Sequence, residues 1–191
     1  MIFLKDNPIT IGFDGARFKF NGKQETTPLI GVVCQGTRLV KVVQKNIKID
    51  GDDSTEAIIE LADKCENDVQ FILMHTITFA GFNVADIKEI FIKIKIPVIA
   101  FTERMINLNG VKEALLKTFP STYRKKIKKI INAGELFETE VKTHGGNSKV
   151  YFHTLGYPPE EVKILMEKVS IDSKLPEAVR LAHLIGASFE I

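Results

Sequence analysis

The sequence lacks tryptophan, has only two cysteines and contains no apolar run long enough to cross a membrane. Cys34 and Cys65 stand far apart without metal-binding spacing, so we expect both to be reduced packing residues rather than a zinc site or a redox pair. The chain has no secretory signal pattern at its start, which favours a cytoplasmic protein. A net charge of +2 is too small to indicate nucleic-acid binding by itself.

Several common site motifs are also absent. The sequence has no P-loop, no dinucleotide-binding fingerprint, no zinc pattern and no nucleophile elbow. Its length of 191 residues, with 45% hydrophobic and 26% charged residues, predicts a single domain over residues 1–191 with a full core. Any functional site must therefore be found from local patterns.

The most informative stretch covers residues 69–86. It opens with an apolar run over 69–74, which is typical of a strand buried on both faces. His75 then ends the strand, and Asn83 is predicted to cap a helix over 83–93. Because α/β proteins place their chemistry at strand ends and helix starts, we expect His75, Asn83 and Asp86 near the working face. The alternative is a strand–loop–helix unit with no chemistry.

The order of elements restricts the topology. Three strands joined by short turns are predicted over 9–14, 29–34 and 38–49. A helix over 57–65 precedes the 69–74 strand, and a further strand is predicted over 96–101. A strand–helix–strand crossover makes 69–74 parallel to its neighbour. Together these elements predict an α/β fold with a five-stranded mixed sheet of ribonuclease H-like arrangement, the first strand being central.

The C-terminal part adds helices and a hairpin. We predict helices over 110–119 and 121–131, a hairpin over 137–153, and helices that begin at Pro158 and Pro176. The 121–131 helix carries a cationic run that can contact phosphates. The alternative is the solvated face of an amphipathic helix. The residues of this run taken as binding candidates are Arg124, Lys125, Lys126 and Lys128.

Asp14 and His75 are the candidates at the predicted sheet edge. A carboxylate at a strand end can bind a divalent cation, since Mg²⁺ takes oxygen ligands, although aspartate is also a common turn former. An imidazole at a strand end can ligate a transition metal or act as a base, or be hydrogen-bonded structure. The predicted sheet sets Asp14 beside His75, within reach of the final helix.

Two further groups of polar residues stand out. Asp50, Asp53 and Glu56 belong to an acidic cluster, which is either a cation site or a solvated turn with a capping box from Asp53 to Glu56. In the last helix, Glu177, Arg180 and His183 lie on a shared side, as a site or as a salt-bridged face.

Three motifs and part of a fourth resemble the endonuclease dU family described in archaea, over nearly the whole chain. The longest is Ile77-Thr-Phe-Ala-Gly-Phe-Asn-Val-Ala-Asp86. The stretch 50–56 matches Asp-Gly-x-Asp-Ala-Thr with Ser54 for Ala. The stretch 176–183 matches Pro-Glu-Pro-x-Arg-x-Ala-His with Ala178 for Pro, and 12–18 is a partial match to Gly-Ile-Asp-Asp-Gly-x-Phe. The family fold is similar to endonuclease V, within the ribonuclease H-like group.

The chain departs from the family pattern at two positions. Gly15 stands where the family has a second Asp, and Met74-His75-Thr76 stands where it has Leu-Asp-Gly. His75 therefore replaces an acidic residue that shares a metal with the first-strand acid in ribonuclease H-like nucleases. The replacement removes a negative charge and a bridging oxygen. Mg²⁺ strongly prefers oxygen ligands, whereas Mn²⁺ or Zn²⁺ accepts nitrogen.

The resemblance implies an endonuclease acting on damaged or deaminated DNA with Mg²⁺ or Mn²⁺. Asp14 would hold the metal with Glu177, helped by Asp50 or Asp53, while His75 would be an altered ligand or a base. Arg180 would steady a phosphate, and the cationic run would hold the DNA backbone. The alternatives are a catalytically silent relative that binds nucleic acid or a protein, and a purely structural interaction protein.

Overall fold

A computed structural model describes residues 4–19, 23–65, 69–102, 105 and 107–189, apart from the side chain of residue 108. The predicted strands and helices form with boundaries shifted by a few residues, except between residues 78 and 86. In chain order they are β1 Ile9–Gly15, β2 Thr26–Gln35, β3 Arg38–Lys48, α1 Ser54–Asp63, β4 Phe71–His75, β5 Thr78–Phe79, β6 Asn83–Val84, α2 Ile87–Ile94, β7 Val98–Thr102, α3 Leu108–Thr118, α4 Tyr123–Asn132, β8 Phe137–Thr143, β9 Gly146–Leu155, α5 Pro159–Val169 and α6 Glu177–Ala187.

The main sheet has the order β3-β2-β1-β4-β7-β9-β8. Strands β1, β4 and β7 are parallel, and the remaining pairs are antiparallel. The predicted five-stranded mixed sheet is confirmed, with β1 central and β4 beside it. The C-terminal hairpin continues this sheet rather than standing apart, because β9 pairs with β7, and the sheet therefore has seven strands. Its turn consists of residues 144 and 145, since β8 ends at Thr143 and β9 begins at Gly146.

Each face of the sheet is covered by helices. Phe13, Ile72 and Met74 point into a core shared with α1 and α2. Phe71 and Leu73 point to the other face, into a core that α5 and α6 complete. Successive residues of a strand face opposite sides of the sheet. Asp14 follows Phe13 and His75 follows Met74, so both lie on the face opposite to the core with α1 and α2. This alternation turns Asp14 and His75 toward α6.

Helix α6 packs unusually close to β1. A Cβ atom added to Gly12 would overlap the backbone of Ala178, and one added to Gly186 would lie 2.9 Å from the carbonyl oxygen of Gly15. The absence of side chains at both glycines therefore lets the helix approach the strand along its length. Close packing of this kind leaves little freedom for the helix to slide. It fixes which α6 residues face the end of β1.

The predicted helix over 83–93 forms only in its later part. Residues 78–84 instead form the short antiparallel pair β5–β6, and α2 begins only at Ile87. Ala80 and Gly81, at the turn of this pair, have φ values of 43° and 83°. The periodic apolar pattern was correct for α2, but the turn geometry delays its start by four residues.

Neither cysteine takes part in a disulfide. Burial, together with the nearby Glu177 carboxylate, raises the pKa of the Cys34 thiol to about 11. A thiol with so high a pKa is protonated at neutral pH and acts as a packing residue, as the sequence predicts. Among the described helices, none has both the length and the apolar content that a bilayer-spanning segment needs.

Candidate metal centre

The ends of β1 and β4 bring Asp14 and His75 together beside α6. His75 Nδ1 lies 3.2 Å from Asp14 Oδ2, and His183 Nδ1 lies 2.7 Å from the same oxygen. The two imidazole rings meet edge to face, with centroids 5.7 Å apart. One ligand atom from each of the three residues lies within 4.8 Å of the others. This three-residue centre can hold a metal ion.

The sheet register creates the first contact. Phe13 pairs with Met74 in the parallel β1–β4 ladder, so the next residues, Asp14 and His75, are side by side. The Gly15 N–H donates to Asp14 Oδ1 at 2.8 Å, which leaves Oδ2 directed at the imidazoles. The side chain of Asp14 is 12% exposed and that of His183 is 54% exposed, so the centre opens to solvent on the α6 side.

A left-handed residue ends β4 immediately after His75. Thr76 has a φ of 70°, and its N–H donates to the carbonyl oxygen of Phe101 at 2.7 Å. A β-branched residue rarely adopts this conformation. Thr76 occupies the position where the family pattern has glycine, the residue best suited to a positive φ. His75 is thereby held as the last residue of the strand.

The structure does not place Glu177 in the three-residue centre. Its two carboxylate oxygens accept hydrogen bonds from Arg180 Nε and Nη2, each at 2.7 Å, and its side chain is almost fully buried. This ion pair raises the pKa of the Arg180 guanidinium. Glu177 belongs to the first turn of α6 near Gly12, whereas His183 lies six residues further along the helix. The predicted pairing of Asp14 with Glu177 is therefore replaced by a contact with His183.

Asp50 and Asp53 are also engaged elsewhere. Asp50 Oδ1 accepts a hydrogen bond from Phe82 N at 2.8 Å, and Asp50 has a φ of 55°. Asp53 Oδ1 accepts hydrogen bonds from Lys48 N at 3.2 Å and from Asn83 Nδ2 at 2.6 Å. Both carboxylates hold the loop before α1 against the β5–β6 pair. They are not part of the group of described residues whose ligand atoms converge.

The two helices with a predicted cap are capped by other residues in the structure. Asp53 makes no capping bond to α1, so the predicted capping box is wrong. Asn83 Oδ1 instead accepts from Ser54 N at 3.0 Å, which makes it a cap for α1 rather than for α2. Asp86 caps α2 by accepting from Lys88 N and Glu89 N. Its other oxygen accepts from Asn132 of α4, a residue that the sequence did not single out.

The cationic run on α4 is divided between structural and exposed side chains. Lys126 is buried, and its Nζ donates to the carbonyl oxygens of Gly51 and Phe82 at 2.6 Å and to that of Asp50 at 3.1 Å. Burial lowers the pKa of the Lys126 ammonium. Lys126 is therefore unavailable to DNA, contrary to the sequence prediction. Arg124, Lys125 and Lys128 are exposed, as that prediction requires.

Helix α4 is connected to the three-residue centre through these contacts. Lys126 binds the carbonyl oxygen of Phe82, and Lys129 binds that of Val84 at 2.9 Å. The loop just before Phe82 reaches β1, because a Cβ on Gly15 would lie 3.7 Å from Ala80 N. The exposed cations therefore stand on a helix that is anchored to the loop beside Asp14.

The family model for endonuclease dU matches residues 9–190. The chain belongs to the endonuclease dU family. A UPF0215 protein of Pyrococcus horikoshii is 33% identical over 93% of this chain and 90% of its own length. A UPF0215 protein of Methanocaldococcus jannaschii is 34% identical over 99% of this chain and 98% of its own.

Solved structures show the same architecture. The crystal structure of a protein of unknown function from Archaeoglobus fulgidus has a TM-score of 0.80 at 25% identity, covering 94% of this chain and 96% of that chain. Human ENDOV has a TM-score of 0.61 at 12% identity, covering 94% and 83%. Ciona intestinalis endonuclease V, in complex with DNA containing an inosine, has a TM-score of 0.57 at 14% identity, covering 92% and 82%. The chain therefore has the endonuclease V-like, ribonuclease H-like fold.

Sequence reasoning missed the residues that place α6. Gly12 and Gly186 carry no chemistry, and only their contact with the facing backbone reveals their role. Thr76 was noted as part of a departure from the family pattern, but its left-handed φ requires coordinates. The glycine of the family pattern at this position was the one sequence signal for a left-handed backbone there.

Proposed function

We propose that this chain is a cytoplasmic, metal-dependent endonuclease that cleaves damaged or deaminated DNA. The observation that carries the proposal is the convergence of Asp14 Oδ2 with Nδ1 of His75 and Nδ1 of His183 at the carboxyl end of β1 and β4. This edge of an α/β sheet is where ligands and substrates bind. Family membership and the endonuclease V-like fold support a nuclease-like role.

The residues present fit a divalent cation. One carboxylate oxygen and two imidazole nitrogens form a donor set that metal sites use, and the three lie close enough to share one ion. A bound cation would act there as a Lewis acid toward a phosphodiester oxygen. Asp14 contributes the negative charge that holds the ion, and the open side beside His183 leaves room for a substrate phosphate.

The exposed cations on α4 support a role in DNA binding. Arg124, Lys125 and Lys128 can neutralise phosphates, while Lys126 and Lys129 hold α4 on the loop next to the centre. The same helix thus has one side that binds protein carbonyls and another that faces solvent. Since Arg180 is engaged by Glu177, we assign the backbone contacts to α4 instead of to Arg180.

The proposed substrate class is based on a structurally similar protein and not on a pocket in this structure. The endonuclease V of Ciona intestinalis, which shares this fold, was crystallised with DNA that contains an inosine. A deaminated base is therefore the first substrate to test. We propose uracil or hypoxanthine in DNA, in single or double strands, as the lesion recognised.

The test is cleavage of end-labelled DNA strands that carry one uracil or one hypoxanthine. Reactions contain Mg²⁺ or Mn²⁺, and the Asp14→Asn protein is the control for contaminating nucleases. Nicking near the lesion that is lost in Asp14→Asn is the expected result, because the mutation removes the charge that holds the cation. Equal nicking by both proteins, or of undamaged DNA alone, would refute the proposal.

A catalytically silent relative that binds nucleic acid is the second candidate. The observation that favours it is the single carboxylate in the three-residue centre, where shared carboxylates are typical of two-metal hydrolysis. DNA binding with a steep salt dependence but no cleavage under any tested metal would support this candidate over the nuclease.

A further inference from the structure

We infer that Asp14, His75 and His183 form a site for one transition-metal ion, with Mn²⁺, Fe²⁺, Co²⁺ or Zn²⁺ bound in preference to Mg²⁺. The inference deepens the proposed function by naming the class of ion that the same site takes. It concerns binding, so it is measured without reference to DNA cleavage. Three features of the structure carry it: the type of donor atoms, their spacing, and the way in which the fold holds them.

The donor atoms are two nitrogens and one oxygen. Mg²⁺ is a hard cation that takes oxygen ligands almost exclusively, whereas imidazole suits zinc, iron and the neighbouring transition metals. Both Nδ1 atoms in the centre face the same carboxylate oxygen. Among the described His, Cys, Asp and Glu side chains that converge there, Asp14 is the one that offers oxygen to an ion.

The spacing suits one ion rather than two. Donor atoms bound at about 2.1 Å to one ion lie roughly 3.0–3.4 Å from each other. Asp14 Oδ2 is already 2.7 Å and 3.2 Å from the two nitrogens. A second ion would need further carboxylate ligands, and the three-residue centre contains one carboxylate, that of Asp14. The geometry therefore points to a mononuclear site.

The fold holds the three donors before any ion binds. β1 and β4 fix Asp14 and His75 through the parallel ladder, and the contact of Gly12 with Ala178 fixes α6. Binding then requires side-chain rotation rather than movement of strands or helix. The side chain of His75 is 23% exposed, less than half the exposed fraction of His183, so the remaining coordination positions face the α6 side. A site with open positions is typical of catalytic metals.

The experiment is a titration of chelator-treated full-length protein with MnCl₂, CoCl₂, ZnCl₂ and MgCl₂ by calorimetry. We expect one ion per chain and affinities for Mn²⁺, Co²⁺ and Zn²⁺ at least about tenfold higher than for Mg²⁺. Electron paramagnetic resonance of the Mn²⁺ complex should show nitrogen couplings. His183→Gln should lower the Mn²⁺ affinity at least about tenfold, and the exposed His144→Gln is the matched control that should leave it unchanged.

A reciprocal variant tests the choice of ion. His75→Asp supplies a second carboxylate and should shift preference toward Mg²⁺, because it restores an oxygen-rich donor set. Circular dichroism checks that this variant folds. If it does not, His75→Gln tests whether His75 is a ligand, since this variant should lose Mn²⁺ affinity. Tighter binding of Mg²⁺ than of Mn²⁺, or no loss of binding in both His183→Gln and His75→Gln, would overturn the inference.

The outcomes separate this inference from the proposed function. Selective Mn²⁺ binding without DNA cleavage would support the metal-site inference and refute the proposed nuclease function. Lesion-dependent cleavage with Mg²⁺, together with no preference for transition metals, would leave the nuclease standing and refute the selective site. No metal binding at any accessible concentration would also overturn the inference.

Discussion

His183 Nδ1 lies 2.7 Å from Asp14 Oδ2, although 169 positions separate the two residues in the chain. The contact depends on how closely α6 approaches β1. We predict that Gly12→Ala will separate them, because the new methyl group meets the backbone of Ala178. Overpacking of this kind costs about 1–3 kcal/mol of unfolding free energy. Urea denaturation measures the cost, and calorimetry with Mn²⁺ should show weaker binding in the folded variant.

Gly15→Ala provides the control for that prediction. A Cβ at Gly15 makes only ordinary contacts, with Ala80 N at 3.7 Å as its nearest neighbour. The variant should therefore keep its metal affinity and lose little stability. If Gly12→Ala and Gly15→Ala behave alike, close packing at Gly12 does not position His183.

The left-handed backbone at Thr76 predicts a stabilising substitution. An L-residue in this region costs about 1–2 kcal/mol, and glycine gives back about 0.5–1 kcal/mol through its greater freedom in the unfolded chain. We expect Thr76→Gly to raise the free energy of unfolding by roughly 0.5–1 kcal/mol, measured by urea denaturation. Thr78→Gly, in strand β5, should lower it. A loss of stability in Thr76→Gly would contradict the left-handed assignment.

Lys126 is predicted to be a structural residue rather than a DNA contact. Lys126→Met removes the ammonium from three carbonyl oxygens and should lower the free energy of unfolding by roughly 2–4 kcal/mol, because unsatisfied buried groups cost about 1–3 kcal/mol each. Lys128→Met, on the exposed side of the same helix, should change it by less than about 0.5 kcal/mol. Thermal or urea denaturation of the two variants measures this difference. Equal free energies of unfolding would show that the buried contacts of Lys126 contribute little to stability.

The exposed cations of α4 are predicted to set DNA affinity. Reversal of Lys125 and Lys128 to glutamate should weaken binding and flatten its salt dependence, since each lost phosphate contact removes about 0.9 from the slope of log K against log salt. Fluorescence anisotropy at several salt concentrations measures both. The same reversal at Lys142 and Lys163, on β8 and α5, is the charge-matched control. Equal effects of the two double variants would mean that net charge, not α4, governs binding.

His153 predicts a pH dependence of stability. Burial lowers the pKa of its imidazole below the ordinary value of 6.5, while Nδ1 contacts the carbonyl oxygen of Glu135 at 2.9 Å. Below pH 6.5 the unfolded chain binds more protons at this residue than the folded chain. The stability that it contributes is therefore complete above 6.5 and declines as pH falls toward the lower, folded-state pKa. Urea denaturation between about pH 5 and pH 8 should show a smaller acid-side loss in His153→Gln than in the parent protein. His144→Gln, at an exposed position, should retain the parent's profile.

Local patterns in the sequence were sufficient for the framework. The continuous apolar run before His75 predicted a strand buried on both faces, and β4 is such a strand. Short turns between the first three strands predicted their antiparallel order, and a crossover helix predicted that β4 would be parallel to β1. These inferences succeed because strand burial and connection handedness depend on nearby residues and on chain geometry.

Sequence patterns did not predict which residues make the individual polar contacts. Asp53 and Asn83 both carry capping residue types, yet Asn83 caps the helix that follows Asp53, because β6 brings its side chain to Ser54 N. Lys126 belongs to a run of similar cations, and helical periodicity does not reveal that its ammonium donates to the carbonyl oxygens of two loops. Such contacts join segments far apart in the chain, so their partners exist only once the segments have packed.

The sequence by itself determined the α/β framework, the pairing of β1 with β4, and hence the position of Asp14 beside His75. Only the tertiary structure decided that His183, rather than Glu177, completes the centre. The two residues lie six positions apart on α6, and the choice depends on the position of that helix along β1. That position is set by backbone contacts at Gly12 and Gly186, which arise from close packing between distant segments and leave no periodic trace in the chain.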